Sequence, residues 1–156
     1  MRPARLVLDG FGAFKERTEI DFDDTDFFAL VGATGSGKST VVDAICFALY
    51  GSVPRYGDER LVGSAMSVGH QETRVRLTFE VGGQRYDAAR VVRRDRHGRV
   101  TTKEARLEAA DGRVLAGRAS EMAPAVERVL GLPFAHFIRC VAVSYTHLTL
   151  PTILRV

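Results

Sequence analysis

The segment VGATGSGKST, at positions 31–40, contains residues whose types and spacing could bind phosphate. It fits the pattern G-x-x-x-x-G-K-[ST], with Gly32 and Gly37 as the two glycines and Lys38 and Ser39 at the end. In such a loop, backbone N–H groups at the start of a helix face a phosphate, and the glycines let the backbone approach it closely. The sequence therefore predicts a site for the phosphates of a nucleotide.

The polar side chains of this loop have separate predicted roles. We expect Lys38 to reach the β- and γ-phosphates and give it the catalytic role, while the Ser39 hydroxyl binds Mg²⁺. Thr40 is expected to add a phosphate contact. The residues expected to bind the nucleotide are Gly32, Ala33, Thr34, Gly35, Ser36, Gly37, Lys38, Ser39 and Thr40.

The flanking segments must position this loop. The apolar run FFALV (27–31) predicts a strand buried on both faces. Apolar residues cover most of the circumference of segment 38–50, which predicts a buried helix capped by Gly51. Asp43 is the one charged residue of this helix beyond the loop, and it is either a structural carboxylate or a residue of the nucleotide site.

The rest of the chain predicts mainly antiparallel strands. Two strands are expected before the loop, and segment 52–70 has the turn residues of an irregular connection. A hairpin around Gly82 and Gly83 continues into a third strand, and a helix follows that ends at Gly131. Segment 133–143 is either a helical turn leading into a strand or a buried strand. The predicted fold class is α/β, an α+β lobe of a P-loop NTPase with an N-terminal antiparallel meander and a buried first helix.

Composition limits the size and the compartment of the protein. With 156 residues, of which 46 % are hydrophobic, the chain is long enough for one domain with a buried core. Cys46 and Cys140 lie in apolar segments without a metal-binding spacing, so we expect two reduced thiols. No segment has the character of a signal peptide or a membrane span, which predicts a cytoplasmic protein with no membrane partner.

Basic residues cluster along the predicted hairpin. The net charge is +3, and 19 of the 22 basic residues are arginines, which indicates either phosphate recognition or coding bias. The candidates for contact with DNA phosphates are Arg90, Arg93, Arg94, Arg96, Arg99, Lys103 and Arg106. A solvated hairpin face explains the same residues equally well, because no aromatic residues are interleaved for base stacking. His97 is expected to be an exposed loop residue.

The order of motifs adds a resemblance to a known family. The motifs come in a fixed order. It is a strand, the segment GFGAF (10–14), a second strand, the P-loop, DAICFALYG (43–51), VPRYG (53–57) and a basic meander. This order resembles the N-terminal ATPase lobe of the SbcC family, the SMC-like subunits of the SbcCD nuclease that repairs DNA double-strand breaks. The resemblance covers residues 1 to about 141. It implies an ABC-type ATPase head that binds ATP and Mg²⁺ and lies near the nucleoid.

The resemblance also implies partners. These are the C-terminal lobe of the same head, a second head that closes a nucleotide sandwich, an SbcD-like nuclease subunit and double-stranded DNA. In the family, the C-terminal lobe carries the signature motif, the acidic Walker B pair and the switch histidine, and none of these motifs occurs in this sequence. We therefore expect the chain alone to bind ATP weakly and not to hydrolyse it.

The C-terminal segment departs from the family pattern. The family has a lid glutamine in a stretch resembling LPQG after the strand that holds Cys140, but here the sequence reads AVSYTHLTLPTILRV (142–156). The glutamines of this chain, Gln71 and Gln84, lie far upstream. We interpret 1–142 as an N-terminal ATPase lobe and 143–156 as a non-native tail, with a genuine terminal strand as the alternative.

Other functions remain open at the level of sequence. A RecF-type or other SMC-like head would share most of these motifs. A small P-loop kinase also uses a loop of the form GATGSGKS, although kinases alternate strands and helices and lack a meander after the first helix. A DNA-binding module without enzymatic activity would use the basic hairpin alone.

Overall fold

The computed structural model describes residues 1–23, 25, 28–53, 63–140 and 152–154 of the chain. Its strands are β1 (Arg2–Asp9), β2 (Thr18–Asp21), β3 (Phe28–Leu30), β4 (Glu72–Val81), β5 (Gln84–Arg94), β6 (Val100–Ala109), β7 (Val114–Ala116) and β8 (Thr152–Leu154). Its helices are α1 (Lys38–Tyr50), α2 (Ala119–Leu130) and α3 (Phe134–Cys140).

Six strands form one sheet in the order β2-β1-β4-β5-β6-β7, and every neighbouring pair is antiparallel. The predicted hairpin is confirmed, since β4 and β5 are joined through Gly82 and Gly83, both with positive φ. Two such residues suit the tight turn whose twist matches the flanking strands. β3 lies in a separate two-stranded sheet with β8.

The core lies on one face of the six-stranded sheet. Alternate residues of the central strands point to this face, among them Leu6, Leu77 and Leu107, and all three are fully buried. Helix α1 packs over β4 and β5 on this face, and α2 packs over β6 and β7. α1 is itself buried from Thr40 to Tyr50, so the predicted buried helix is confirmed. The other face of the sheet is exposed and polar, as is common for an antiparallel sheet covered on one side.

The predicted helix before Gly131 is confirmed as α2. Its Met122 and Val126 are buried against the sheet, and Gly131 caps its end with φ +69. Segment 134–140 is helical, which selects the first of the two predicted alternatives for the start of this region. The strand expected after it lies outside the described residues, as do positions 54–62 of the predicted irregular connection.

The prediction for β3 is wrong in one respect. The sequence predicts burial on both faces, but Ala29 is exposed and Val31, just after the strand, is 82 % exposed. Within the described chain, β8 is the strand paired with β3. Part of this apolar run is therefore exposed in the described structure, although its composition is typical of a buried strand.

Candidate nucleotide-binding site

The loop between β3 and α1 curves around the ammonium group of Lys38. Its Nζ donates to the carbonyl oxygen of Gly32 at 2.6 Å and to that of Ala33 at 2.7 Å. The backbone N–H of Ser36 donates to the carbonyl of Ala33, which closes a turn within the loop. The lysine thus holds the first residues of the loop in a concave arrangement, with its charge on the concave side.

The loop ends where α1 begins. Gly37 is the N-cap residue, with φ +94, and in the described structure neither a capping side chain nor an acidic residue of the first turn satisfies the N–H groups at this end. Helix N-termini have such unpaired donors together with the positive end of the helix dipole. This end of α1 is therefore suited to an anion.

Exposure separates the predicted ligands into two groups. Residues 32–36 and Ser39 are exposed, so their backbone and the Ser39 hydroxyl are open to a ligand. Gly37 and Thr40 are buried. The side chain of Thr40 lies against Gly12, because a Cβ added at Gly12 would collide with Cγ2 of Thr40.

The segment GFGAF (10–14) packs against the end of the loop, where α1 begins. A Cβ added at Gly37 would lie 3.0 Å from Cζ of Phe14, so the aromatic ring packs directly under the N-cap. The sequence singled out this segment through its family resemblance, and the contact gives it a physical role. The contact between Phe14 and Gly37 positions the first turn of α1 relative to the segment GFGAF.

A second segment holds GFGAF in place. The backbone N–H of Gly12 donates to the carbonyl of Ala65 at 2.7 Å, and the Ser67 hydroxyl donates to the carbonyls of Gly12 and Phe14. These contacts were not predicted, because residues 63–70 have only the signature of a turn. Hydrogen bonds between segments that are distant in the chain leave no local sequence pattern from which they could be predicted.

Two side chains of α1 that the sequence singled out are buried. Asp43 is buried and is therefore not a solvated charge. Cys46 is a free thiol and is fully buried, as predicted for a core cysteine, and burial raises the pKa of the thiol. The side chain of Cys140 lies outside what the structure describes.

The basic patch of the hairpin divides between the two faces of the sheet. Arg90 is only 4 % exposed, and its guanidinium donates to backbone carbonyls of α1, so its assignment to a DNA-contacting surface is wrong. The physical reason is strand alternation, since Arg90 shares the core face with Ala88 and Val92. This signal was present in the sequence and was missed.

The other members of the patch differ in their surroundings. Arg94 is half-buried, and its Nη2 donates to the carbonyl of Gly63 at 2.6 Å. Arg106 is exposed but forms an ion pair with Glu108. The exposed members of the patch for which the described structure gives no ion pair are Arg93, Arg96, Arg99 and Lys103. They lie in or beside the turn between β5 and β6, and we call them the hairpin-tip cluster. His97 is exposed in the same turn, as predicted.

The exposed face of the sheet carries many arginines, and carboxylates accompany them. Arg5 pairs with Glu19, Arg76 with Asp87, and Arg85 with both Glu80 and Asp23. Hydrogen bonds from Arg2 and Arg85 lower the pKa of the Glu80 carboxyl. The arginine excess of the sequence is therefore largely neutralised on this face, which leaves the hairpin tip as its main unpaired cationic region in the described chain.

The described residues contain no group of three or more histidine, cysteine, aspartate or glutamate side chains arranged to hold a metal ion. Among the helices in the described part of the chain, none combines the length and the apolar character that crossing a bilayer requires.

Comparison with known proteins agrees with this geometry. The model of the AAA domain family matches residues 5–122, which include the loop, α1 and the meander. The SbcC subunit of the nuclease SbcCD of Deinococcus radiodurans is 42 % identical over 146 residues, covering 90 % of this chain and 16 % of that protein. A probable DNA double-strand break repair Rad50 ATPase of Aquifex aeolicus is 34 % identical, covering 90 % of this chain and 14 % of that protein. The chain thus spans about a sixth of the length of these relatives.

The fold has a counterpart among solved structures. A structure from a study of ATP-driven dimerization and DNA-stimulated activation of SMC ATPases aligns with a TM-score of 0.53 at 24 % identity, covering 81 % of this chain and 80 % of that one. The predicted fold class, an α/β lobe with an antiparallel meander and a buried first helix, is confirmed by this shared fold. An antiparallel meander after α1 also disfavours the kinase alternative. The predicted resemblance to SbcC is confirmed by the curated relatives, and the chain belongs to the AAA domain family.

Proposed function

We propose that this chain binds ATP with Mg²⁺ in the loop 32–40 and acts as the N-terminal lobe of an SbcC-type ATPase head in DNA double-strand break repair. The observation that carries the proposal is the position of Lys38. Its ammonium group lies inside a concave loop, next to the unpaired N–H groups of α1, and the loop is open to solvent. A triphosphate needs this combination of a fixed positive charge and backbone donors.

The residues present fit a bound nucleotide with its metal ion. Positive φ at Gly35 and Gly37 shapes a cradle that residues with a Cβ would strain. The Ser39 hydroxyl is exposed at the first turn of α1 and would bind Mg²⁺, an ion that usually keeps several waters and takes few protein ligands beside the phosphates. Bound Mg²⁺ supplies neutralisation of phosphate charge, while Lys38 and the first-turn N–H groups bind and orient the phosphates.

Substitution of Lys38 tests the nucleotide site. A hydrogen bond to a charged group contributes about 1.5–3 kcal/mol, so Lys38→Ala should weaken binding of a fluorescent ATP analogue with Mg²⁺ by about 10- to 150-fold. Lys15→Ala is the matched control, because Lys15 is an exposed lysine outside the loop. Equal affinity of Lys38→Ala and wild type, with both proteins folded by circular dichroism, would refute the assignment.

Ser39 gives an independent test of the metal. We expect Ser39→Ala to reduce the Mg²⁺-dependent part of ATP affinity while leaving the metal-free affinity, measured with a chelator, close to that of wild type. A loss of the same size with and without Mg²⁺ would assign Ser39 to the phosphates instead.

The hairpin-tip cluster is the proposed contact for double-stranded DNA. Its four cations are exposed and lack ion pairs in the described structure, so they can contact phosphates without breaking existing contacts. Each phosphate neutralised contributes about 0.9 to the log–log salt slope of binding. An Arg93/Arg96/Arg99 triple alanine variant should therefore reduce both affinity and slope. The control is an Arg74/Arg76/Arg106 triple alanine variant, which removes arginines already paired with carboxylates. Equal losses in both variants would return the tip to the role of a solvated surface.

The remaining partners follow from the relatives. One relative is named as a subunit of the nuclease SbcCD and another as a Rad50 ATPase, and we propose a C-terminal lobe, a second head and an SbcD-like nuclease as partners of this chain. A cytoplasmic, nucleoid-associated location accords with such a role. Residues 143–156 are still proposed to be a non-native tail, although β8 within them pairs with β3, which is the feature that the alternative of a genuine terminal strand predicts.

Complementation tests the lobe assignment. Mixing the chain with the C-terminal ATPase lobe of the Deinococcus radiodurans relative should produce ATP hydrolysis that neither part shows alone. The activity should disappear with Lys38→Ala. Lys38-dependent hydrolysis by the chain alone would show that it does not need a second lobe.

A further inference from the structure

The C-terminal end of α1 is held by a side chain from another element. Arg90 of β5 donates from Nε to the carbonyl of Ala48 at 3.1 Å and from Nη2 to the carbonyl of Leu49 at 3.2 Å. The last turn of α1 contains no basic residue of its own. The guanidinium therefore supplies the positive charge that the negative end of a helix dipole favours, together with donors for two carbonyls that the helix itself leaves unpaired.

The backbone at this position is adapted to the arginine. Gly51 ends α1 with φ +75, and a Cβ there would lie 2.8 Å from Nη1 and 2.9 Å from Cζ of Arg90. Gly51 is thus required both for the left-handed cap and for the close approach of the guanidinium. Because two different nitrogens bind two successive carbonyls, the contact opposes rotation of the helix about its axis as well as translation.

The two ends of α1 and the strand β5 connect the proposed nucleotide site with the hairpin tip. α1 begins at Lys38 and Arg90 binds it at Ala48 and Leu49, so the first turn that faces the phosphates lies about 15 Å along the helix from the turn held by Arg90. Arg90 is three residues before Arg93, on the strand that leads into the hairpin-tip cluster. Rigid helices and hydrogen-bond networks are among the elements that can carry coupling between distant sites.

We propose that Arg90 is a positioning residue that couples nucleotide binding at the first turn of α1 to the conformation of the hairpin tip. This inference rests on the proposed nucleotide site. Phosphates that engage Lys38 and the first-turn N–H groups shift α1 slightly, and Arg90 transfers that shift to β5. The tip is then ordered differently with and without nucleotide.

Hydrogen exchange of the whole chain, with and without ATP and Mg²⁺, tests this coupling. In the wild type we expect the nucleotide to slow exchange at the loop (32–40) and also, by about fivefold, at the hairpin tip (95–99), in the range of typical coupling energies. Arg90→Met should keep the protection of the loop and reduce that of the tip to less than about twofold. Arg76→Met is the control, since Arg76 is an exposed arginine of the outer face paired with Asp87, and it should leave both effects unchanged.

A second variant covers a failure to fold. Arg90→Lys keeps the charge, but one ammonium group cannot reproduce two planar donors aimed at neighbouring carbonyls, so we expect it to lose the tip effect as well. A purely structural role would change exchange in the absence of nucleotide but would not remove a nucleotide-dependent difference at the tip.

The outcomes separate this inference from the proposed function. Protection of the loop without protection of the tip in the wild type overturns the coupling and leaves the nucleotide site intact. Tip protection that persists in Arg90→Lys or in a folded Arg90→Met also overturns it. Absence of any protection at the loop in the wild type refutes the nucleotide site itself, and the coupling with it.

Discussion

Replacing Tyr50 with phenylalanine removes one buried hydroxyl from the C-terminal end of α1. The ring is 3 % exposed, and the hydroxyl donates to the carbonyl of Leu132 at 2.6 Å, between α2 and α3. A hydrogen bond of this kind contributes about 0.5–1.5 kcal/mol. Because Leu132 is only half-buried, water can partly satisfy its carbonyl in the variant. We therefore expect Tyr50→Phe to lower the free energy of unfolding by about 1 kcal/mol at neutral pH.

The pH dependence of this difference gives the prediction its sign. Burial, and to a smaller extent the charge of Glu127, raise the pKa of Tyr50 above its ordinary value. A phenol whose pKa is raised by folding stabilises the folded state fully below its unfolded pKa of about 10 and loses that contribution as the pH rises. At about pH 11, ionisation of the unfolded chain lowers the stability of the wild type by about 1.4 kcal/mol, and the phenylalanine variant lacks this loss.

The assay is urea unfolding of both proteins, followed by circular dichroism from neutral pH to about pH 11. The stability difference of about 1 kcal/mol should fall through zero and reverse, leaving the variant more stable by about 0.4 kcal/mol at the alkaline end. Tyr86→Phe is the control, because its hydroxyl donates to the exposed side chain of Gln84 and should contribute less than about 0.5 kcal/mol. A difference between wild type and Tyr50→Phe that stays constant with pH would show that the hydroxyl is not held as the structure places it.

Three further substitutions test the support of the site and the core. Gly37→Ala forces a Cβ to 3.0 Å from Phe14 at φ +94, so it should lower the melting temperature and weaken nucleotide binding together; normal values of both would contradict the packing of Phe14 under the loop. Thr73→Val removes a buried hydroxyl that donates to the carbonyl of Gly10 at 2.6 Å, and it should cost about 1–3 kcal/mol in urea unfolding, whereas the exposed Thr101→Val should be nearly neutral. Leu77→Ala, at a fully buried site, should cost about 2–5 kcal/mol by the same measurement, and a cost below that range would place Leu77 outside the core.

Arg90 and Arg93 show how far charge alone can be interpreted. Both belong to one basic patch in the sequence, yet Arg90 is buried under α1 and Arg93 is exposed on the other face of β5. The alternation with Ala88 and Val92 could have separated them. The contact of Arg90 with Ala48 and Leu49 could not have been predicted, because it joins residues more than 40 positions apart in the chain.

Lys103 shows a second limit of pattern reasoning. The pairing of β5 with β6 shifts by one residue between Val91, opposite Glu104, and Val92, opposite Thr102, which leaves Lys103 as the extra residue of a bulge. A bulge changes the face to which the following residues point. Since nothing in the local composition marks this insertion, strict alternation along β6 would have assigned the faces on one side of it incorrectly.

The elements with local signals could be predicted from the amino-acid sequence. The loop 32–40, helix α1 with Gly51 at its end, and the hairpin at Gly82 and Gly83 depend on residues close together in the chain, where glycine conformation and apolar spacing act directly. The surroundings of these elements depend on how the whole chain packs. It placed Phe14 under the N-cap of α1 and Arg90 against its last turn. These contacts depend on how the sheet and the helix pack, because the free energy that selects them comes from burial of surfaces that are distant in sequence.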